Sequence, residues 1–154
     1  MDLFIWTEAL ATGNPSIDED HQELVRRVNA VLESIALQQS GQALSAALRS
    51  LVAHAKEHFA SEEVEMKRIG FRPMHAHTAQ HAKLLNQVQV LQERLQAGAR
   101  IDQMDLYRLL SRWVKDHIRE FDVELAAALA LKHDFVIGGY NVKTAATGLP
   151  LQHL

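Results

Sequence analysis

Five histidines and two carboxylates fall at helical spacings along this chain. His21 stands alone, His58 precedes Glu62 by four, His77 precedes His81 by four, and His117 precedes Asp122 by five. Side chains four apart share one face of an α-helix, about one turn from each other. Three such pairs and one single histidine can aim seven ligand atoms at a common point inside a helical bundle. Imidazole and carboxylate in that proportion suit a pair of iron ions better than a single zinc. With no cysteine in the chain, thiolate sites, disulfides and cysteine nucleophiles are excluded. Each buried polar group left without a partner costs about 1–3 kcal/mol. Seven of them gathered in an apolar interior would heavily destabilise it unless a metal satisfied them together.

The elements that must position these groups are four amphipathic stretches. The first runs to about Gln39 with Ile17, His21, Leu24, Val28, Val31 and Ile35 at alternating steps of three and four. Ser16 or Asp18 is its expected cap, Ser16 and Glu19 having capping-box spacing. After a break at Ser40-Gly41, a second stretch from about Gln42 to Ile69 aligns Leu44, Leu48, Leu51, Ala55, His58, Glu62 and Met66, and Gly70 closes it. Pro73 suits an early position of the third helix, whose stripe is His77, His81, Leu84, Val88, Leu91 and Leu95, ending at Gly98. Asp102 is placed to cap the fourth, with Leu106, Leu110, Trp113, His117, Phe121 and Leu125 in line and an end near Lys132. Four such helices with short connections predict an all-α fold, an antiparallel up-down-up-down four-helix bundle. In that topology all seven polar residues come to the same end. The step from His117 to Asp122 turns about 140° beyond a full turn on an ideal helix. Asp122 is therefore expected to approach from the side, as a bridge between two metals, with Glu62 as the other bridge.

The chain has 154 residues, 47% of them hydrophobic, with 7 Gly and 3 Pro, which fits one compact helical domain. A net charge of -3 gives no reason to expect nucleic acid or an anionic membrane as partner. The first ten residues carry Asp2 and Glu8 without a basic run, unlike a signal peptide. No stretch is long and uncharged enough to span a bilayer, so a cytoplasmic protein is the expectation. Residues 1–133 are expected to form the bundle with an N-terminal arm whose Phe4-Ile5-Trp6 knot packs on it as a lid. Residues 134–154 are expected to form a C-terminal extension.

Among the remaining histidines, His54 shares the face of His58 but lies a turn too far from the level of Glu62, which suits a supporting or core role. His75, His133 and His153 are expected at the surface. Trp113 reads as core and, with Leu24, Phe59 and Ile118, as a wall of a pocket beside the metals. Glu63 and Glu65 read as the solvated face of the second helix.

The joint pattern Phe4-x-Trp6-Thr7, Ile17-Asp18-x-x-His21-x-x-Leu24, His58-x-x-x-Glu62-Glu63-x-x-Met66, His77-x-x-x-His81 and Trp113-x-x-x-His117-Ile118-x-x-x-Asp122 resembles bacteriohemerythrin, of the hemerythrin family. The similarity covers Phe4 to about Leu131. It implies a non-haem di-iron centre, oxo- or hydroxo-bridged, that binds dioxygen reversibly. On that resemblance His77, His81 and His117 would hold the saturated iron, and His21 and His58 the iron that accepts dioxygen. Glu62 and Asp122 would bridge the two. The chain departs from the family at Asp20, where Gln is usual, and at Phe71-Arg72-Pro73, where Tyr-Pro is common. In the tail, Thr147-Gly148-Leu149-Pro150 has a four-residue resemblance to the opening of diguanylate cyclase domains.

The resemblance implies a dioxygen-binding protein serving storage, delivery or sensing, and not an enzyme. Five neutral imidazoles leave less negative charge on the metals than the four Glu and two Glu-x-x-His pairs of ferritin-like bundles, which favours reversible binding over oxidation chemistry. The competing readings are a sensory or iron-handling module acting on a protein partner, and a di-iron peroxidase or oxidase. The enzyme would need a proton donor or substrate groove beside the open metal.

Overall fold

In the computed structural model, residues 3–133 are described. Helix α1 spans Pro15–Ala36, α2 Gly41–Ile69, α3 Met74–Gln96 and α4 Gln103–His117. A π-helical turn, Ile118–Asp122, follows α4 directly, and α-helix resumes over residues 123–133. The fold is the all-α bundle expected, with no strand among the described residues. No helix among them is long and apolar enough to cross a membrane.

The helix ends follow local chemistry, with some shifts from the sequence reading. Asn14 caps α1, accepting from the backbone N–H groups of Ser16 and Ile17, so the cap is neither Ser16 nor Asp18. Pro15, in the first helical position, needs no partner for a missing N–H and sets the boundary one residue after Asn14. Asp18 instead ties down the arm, accepting from Thr12 N–H and Oγ1–H at 2.7 and 2.8 Å. Helix α1 stops at Ala36, short of Gln39, because Gln38 turns into the left-handed region at φ 48°. Ser40 then caps α2 through Ala43 N–H, and Gly70 closes it at φ 64°. Pro73 sits just before α3 as its N-cap, and Asp102 caps α4 as expected.

The apolar residues form two clusters. The larger gathers Leu24, Val28, Leu32, Leu48, Leu51, Leu84, Val88, Leu106, Leu110 and Trp113 among others. The smaller gathers Ile17, Met66, Ile69, Leu125 and Ala126. Along α1, α2 and α3 the polar stripe residues lie between members of the two clusters, so they form a layer separating them. The arm packs on the larger cluster through Phe4, whose N–H donates to Asn29 Oδ1 while Asn29 Nδ2 donates back to its carbonyl, both at 2.8 Å. Of the expected knot only Phe4 is buried. Trp6 is half-buried and Ile5 faces solvent. The expected tail, including the Thr147–Pro150 stretch, lies outside the described residues.

Candidate metal centre

Each helix delivers its polar residues to one layer. Helix α1 contributes His21, α2 His58 and Glu62, α3 His77 and His81, and α4 with its π turn His117 and Asp122. The structure brings all seven together, none more than 4% exposed. They form two overlapping groups within each of which the ligand atoms lie within 4.8 Å of one another. One is Glu62, His77, His81, His117 and Asp122, and the other is His21, His58, Glu62 and Asp122.

The two shared carboxylates face both groups. Glu62 Oε1 lies 3.6 Å from His58 Nε2, while its Oε2 lies 3.1 Å from His81 Nε2 and 3.4 Å from His77 Nε2. Asp122 Oδ2 lies 2.9 Å from His21 Nε2, and its Oδ1 lies 3.0 Å from both His77 and His117 Nε2. One oxygen of each carboxylate therefore serves each side.

The π turn makes the position of Asp122 possible. Val123 N–H bonds the carbonyl of Ile118, five residues back, which brings residues five apart onto one face. The ideal-helix argument for a sideways approach is thereby corrected. Asp122 reaches the centre because the helix widens there, and a regular α-helix would rotate it away.

Burial and pairing set the charges. Burial opposes ionisation of Glu62, but hydrogen bonds from His77 and His81 outweigh it and hold the carboxyl below its usual range. Asp122 is likewise disfavoured by burial, yet His117, His21 and His77 hold it well below the usual range. Burial pulls the His58 imidazole down, keeping it neutral. It also works against protonated His77, where Asp122 and Glu62 prevail and raise the pKa to about 9. Two ionised carboxylates among imidazoles are the donor set of a divalent cation.

A metal also fits what the side chains leave unsatisfied. His21 Nε2, His58 Nε2, His117 Nε2, Glu62 Oε1 and Asp122 Oδ2 are buried and make no hydrogen bond. Two of them, His21 Nε2 and Asp122 Oδ2, are nonetheless 2.9 Å apart, and His117 Nε2 lies 3.0 Å from Asp122 Oδ1. Atoms this close but misaligned for hydrogen bonding are aimed at a common point rather than at each other.

Two carboxylates outside the expected set complete the surroundings. His58 Nδ1–H donates to Asp20 Oδ2 at 3.3 Å, and His81 Nδ1–H donates to Glu63 Oε1 at 3.1 Å. Glu63 is thus a partner of His81 rather than simply a solvated residue, while Glu65 pairs with Arg68 on the exposed side as expected. Both missed residues adjoin a ligand candidate in sequence, Asp20 before His21 and Glu63 after Glu62, and that adjacency was the available signal. His54 stays outside the centre and donates from Nε2 to the Asp20 carbonyl at 3.2 Å. His75 and His133 are exposed, and His153 lies outside the described residues. Leu24, Phe59, Trp113 and Ile118 are all buried in the larger apolar cluster. The Phe59 ring stacks on His81 at 3.9 Å, with His117 and Trp113 rings at 5.4 and 6.0 Å.

Comparison with known proteins agrees with this arrangement. Residues 12–129 match the family model described as the hemerythrin HHE cation binding domain. The chain is 32% identical over 121 residues to a bacteriohemerythrin of Pseudomonas paraeruginosa, covering 77% of this chain and 76% of that protein. It is 30% identical over 123 residues to the bacteriohemerythrin of Methylococcus capsulatus, covering 79% and 93%. A crystal structure of wild-type hemerythrin superposes with a TM-score of 0.75 at 30% identity, over 83% of this chain and 98% of that one. The chain belongs to the hemerythrin family.

Proposed function

We propose that this protein binds dioxygen reversibly at a di-iron centre held by His21, His58, Glu62, His77, His81, His117 and Asp122, within a domain spanning residues 1–133. The hemerythrin family is one of di-iron oxygen-binding domains. The observation that carries the assignment of residues is the division of each shared carboxylate, one oxygen toward the three-imidazole group and the other toward the two-imidazole group. His77, His81 and His117 would hold one metal, and His21 with His58 would hold the other, at which dioxygen would be taken up. A pair of ferrous ions supplies the electrons that reversible dioxygen uptake requires.

The protein's own residues do the rest. Ionised Glu62 and Asp122 offset the charge of two cations. Glu63 and Asp20, as acceptors of Nδ1–H, hold His81 and His58 in the tautomer whose Nε2 faces inward. Phe59, with Leu24, Trp113 and Ile118, presents an apolar wall that favours a small neutral diatomic over water and charged solutes. Such a site stores, delivers or senses the gas rather than consuming it.

The test is optical. The iron-loaded protein is reduced without air, exposed to dioxygen and then stripped of it. A charge-transfer band that appears and disappears over repeated cycles, with two irons per chain, supports the proposal. Irreversible oxidation on first exposure, or product formed with turnover, overturns it in favour of an enzyme.

A further inference from the structure

Helix α2 grips one residue of α1 twice. His54 Nε2–H donates to the backbone carbonyl of Asp20 at 3.2 Å, and one turn later His58 Nδ1–H donates to the Asp20 side chain at 3.3 Å. The backbone and carboxylate of this single residue are thus both fixed against the helix that carries His58 and Glu62. The Asp20 side chain is 38% exposed, so its charge is not sealed in the interior. On its open side it lines a cavity of about 270 Å³ with Ser16, Ser61 and Glu65, whose inner wall is formed by His58 and Glu62. The other imidazole of this group, His21, has no hydrogen-bond partner on Nδ1 among the described residues. Among the described residues, Asp20 is therefore the one carboxylate that accepts from an Nδ1 in the two-imidazole group.

We propose that Asp20 is a positioning residue with an electronic role. Its carboxylate locks His58 with Nε2 inward and adds negative charge through the ring, strengthening that ligand and lowering the reduction potential of the metal held there. An amide at this position, which the resemblance leads one to expect, would orient the ring without supplying the charge. Carboxylate partners of metal-bound imidazoles raise ligand basicity in this way, and their loss typically weakens metal binding about 10- to 100-fold. The inference rests on the proposed metal centre, and it concerns how easily the metal gives up an electron.

Two substitutions separate orientation from charge. Asp20→Asn keeps an acceptor for His58 Nδ1–H and removes the charge, and Asp20→Ala removes both. The zinc-loaded protein reports His58 tautomer by nitrogen NMR and zinc affinity by competition with a chromophoric chelator. The iron-loaded protein reports midpoint potential by redox titration. We expect Asp20→Asn to keep the tautomer and hold zinc within a few-fold of wild type while raising the potential. We expect Asp20→Ala to lose the fixed tautomer and weaken one of two zinc ions about 10- to 100-fold. An unchanged potential in Asp20→Asn overturns the electronic role. Wild-type tautomer and zinc affinity in Asp20→Ala overturn the positioning role. The zinc measurements do not involve dioxygen, so they stand even if the iron protein fails to bind the gas reversibly.

Discussion

The two halves of the centre share their carboxylates and differ in almost everything else. The half with His77, His81 and His117 draws its imidazoles from α3 and α4, and its rings pack closely on Phe59 and Phe121. The half with His21 and His58 draws on α1 and α2, has one imidazole fewer, and borders a polar cavity through Asp20 and Ser16. The first half also borders a polar cavity, through His117 and Asp116. The halves thus differ in the number of imidazoles and in what packs on the rings rather than in having a cavity beside them. A pair of metals in such surroundings need not behave alike, and the variants below ask how far that inequality goes.

The largest effect is expected where the halves join. Glu62→Ala removes an oxygen from each side, and iron content should fall below two per chain by elemental analysis. Full loading in that variant would mean that Glu62 bridges nothing. His58→Ala touches only the two-imidazole half. It should leave about one iron per chain and abolish the reversible optical response, whereas two retained irons would erase the distinction between the halves.

Protonation sharpens the contrast from the other half. In the metal-free protein His77 titrates at about 9, above its ordinary 6.5. Its contribution to stability is fully present below about pH 6.5 and is lost as pH rises through about 9. Glu62 and Asp122 have lowered values, so theirs is fully present above the ordinary carboxylate range and is lost as pH falls below that range through their lowered values. Metal binding must displace the His77 proton, so zinc affinity should rise between pH 6.5 and 9 while the melting temperature of the metal-free protein falls. Parallel trends in the two measurements would exclude His77 from the ligand set.

The smallest effect is expected at the histidine outside both halves. His54→Ala should keep two irons and cost about 1 kcal/mol, the usual worth of one hydrogen bond, measured by denaturant unfolding. Loss of an iron there would show that the grip on Asp20 matters more than the bond itself.

Most of this arrangement was legible in the chain because ligands four apart obey the same period as the apolar stripes that carry them. His58 with Glu62 and His77 with His81 needed only a regular helix. Asp122 was visible as a residue but not in its manner of approach, because period-based reading assumes 3.6 residues per turn and Ile118–Asp122 departs from it. Asp20 and Glu63 were hidden for another reason. Their bonds cross between helices, and a carboxylate facing a neighbouring helix has the same sequence signature as one facing water. The cap at Asn14 was announced by Pro15, whose preference for the first helical position outranks the capping-box spacing of Ser16 and Glu19.

The widened turn at Ile118–Asp122 carries one spare residue relative to an ordinary helix, and this sets stability against purpose. A regular α-helical path through the same residues would let the ladder of backbone bonds run through unbroken and would remove a locally costly geometry. The same regular path would swing Asp122 out of phase with His117 by roughly 100°. The last long helix among the described residues is therefore held in a slightly inferior form, and what it gains is a carboxylate in the right place.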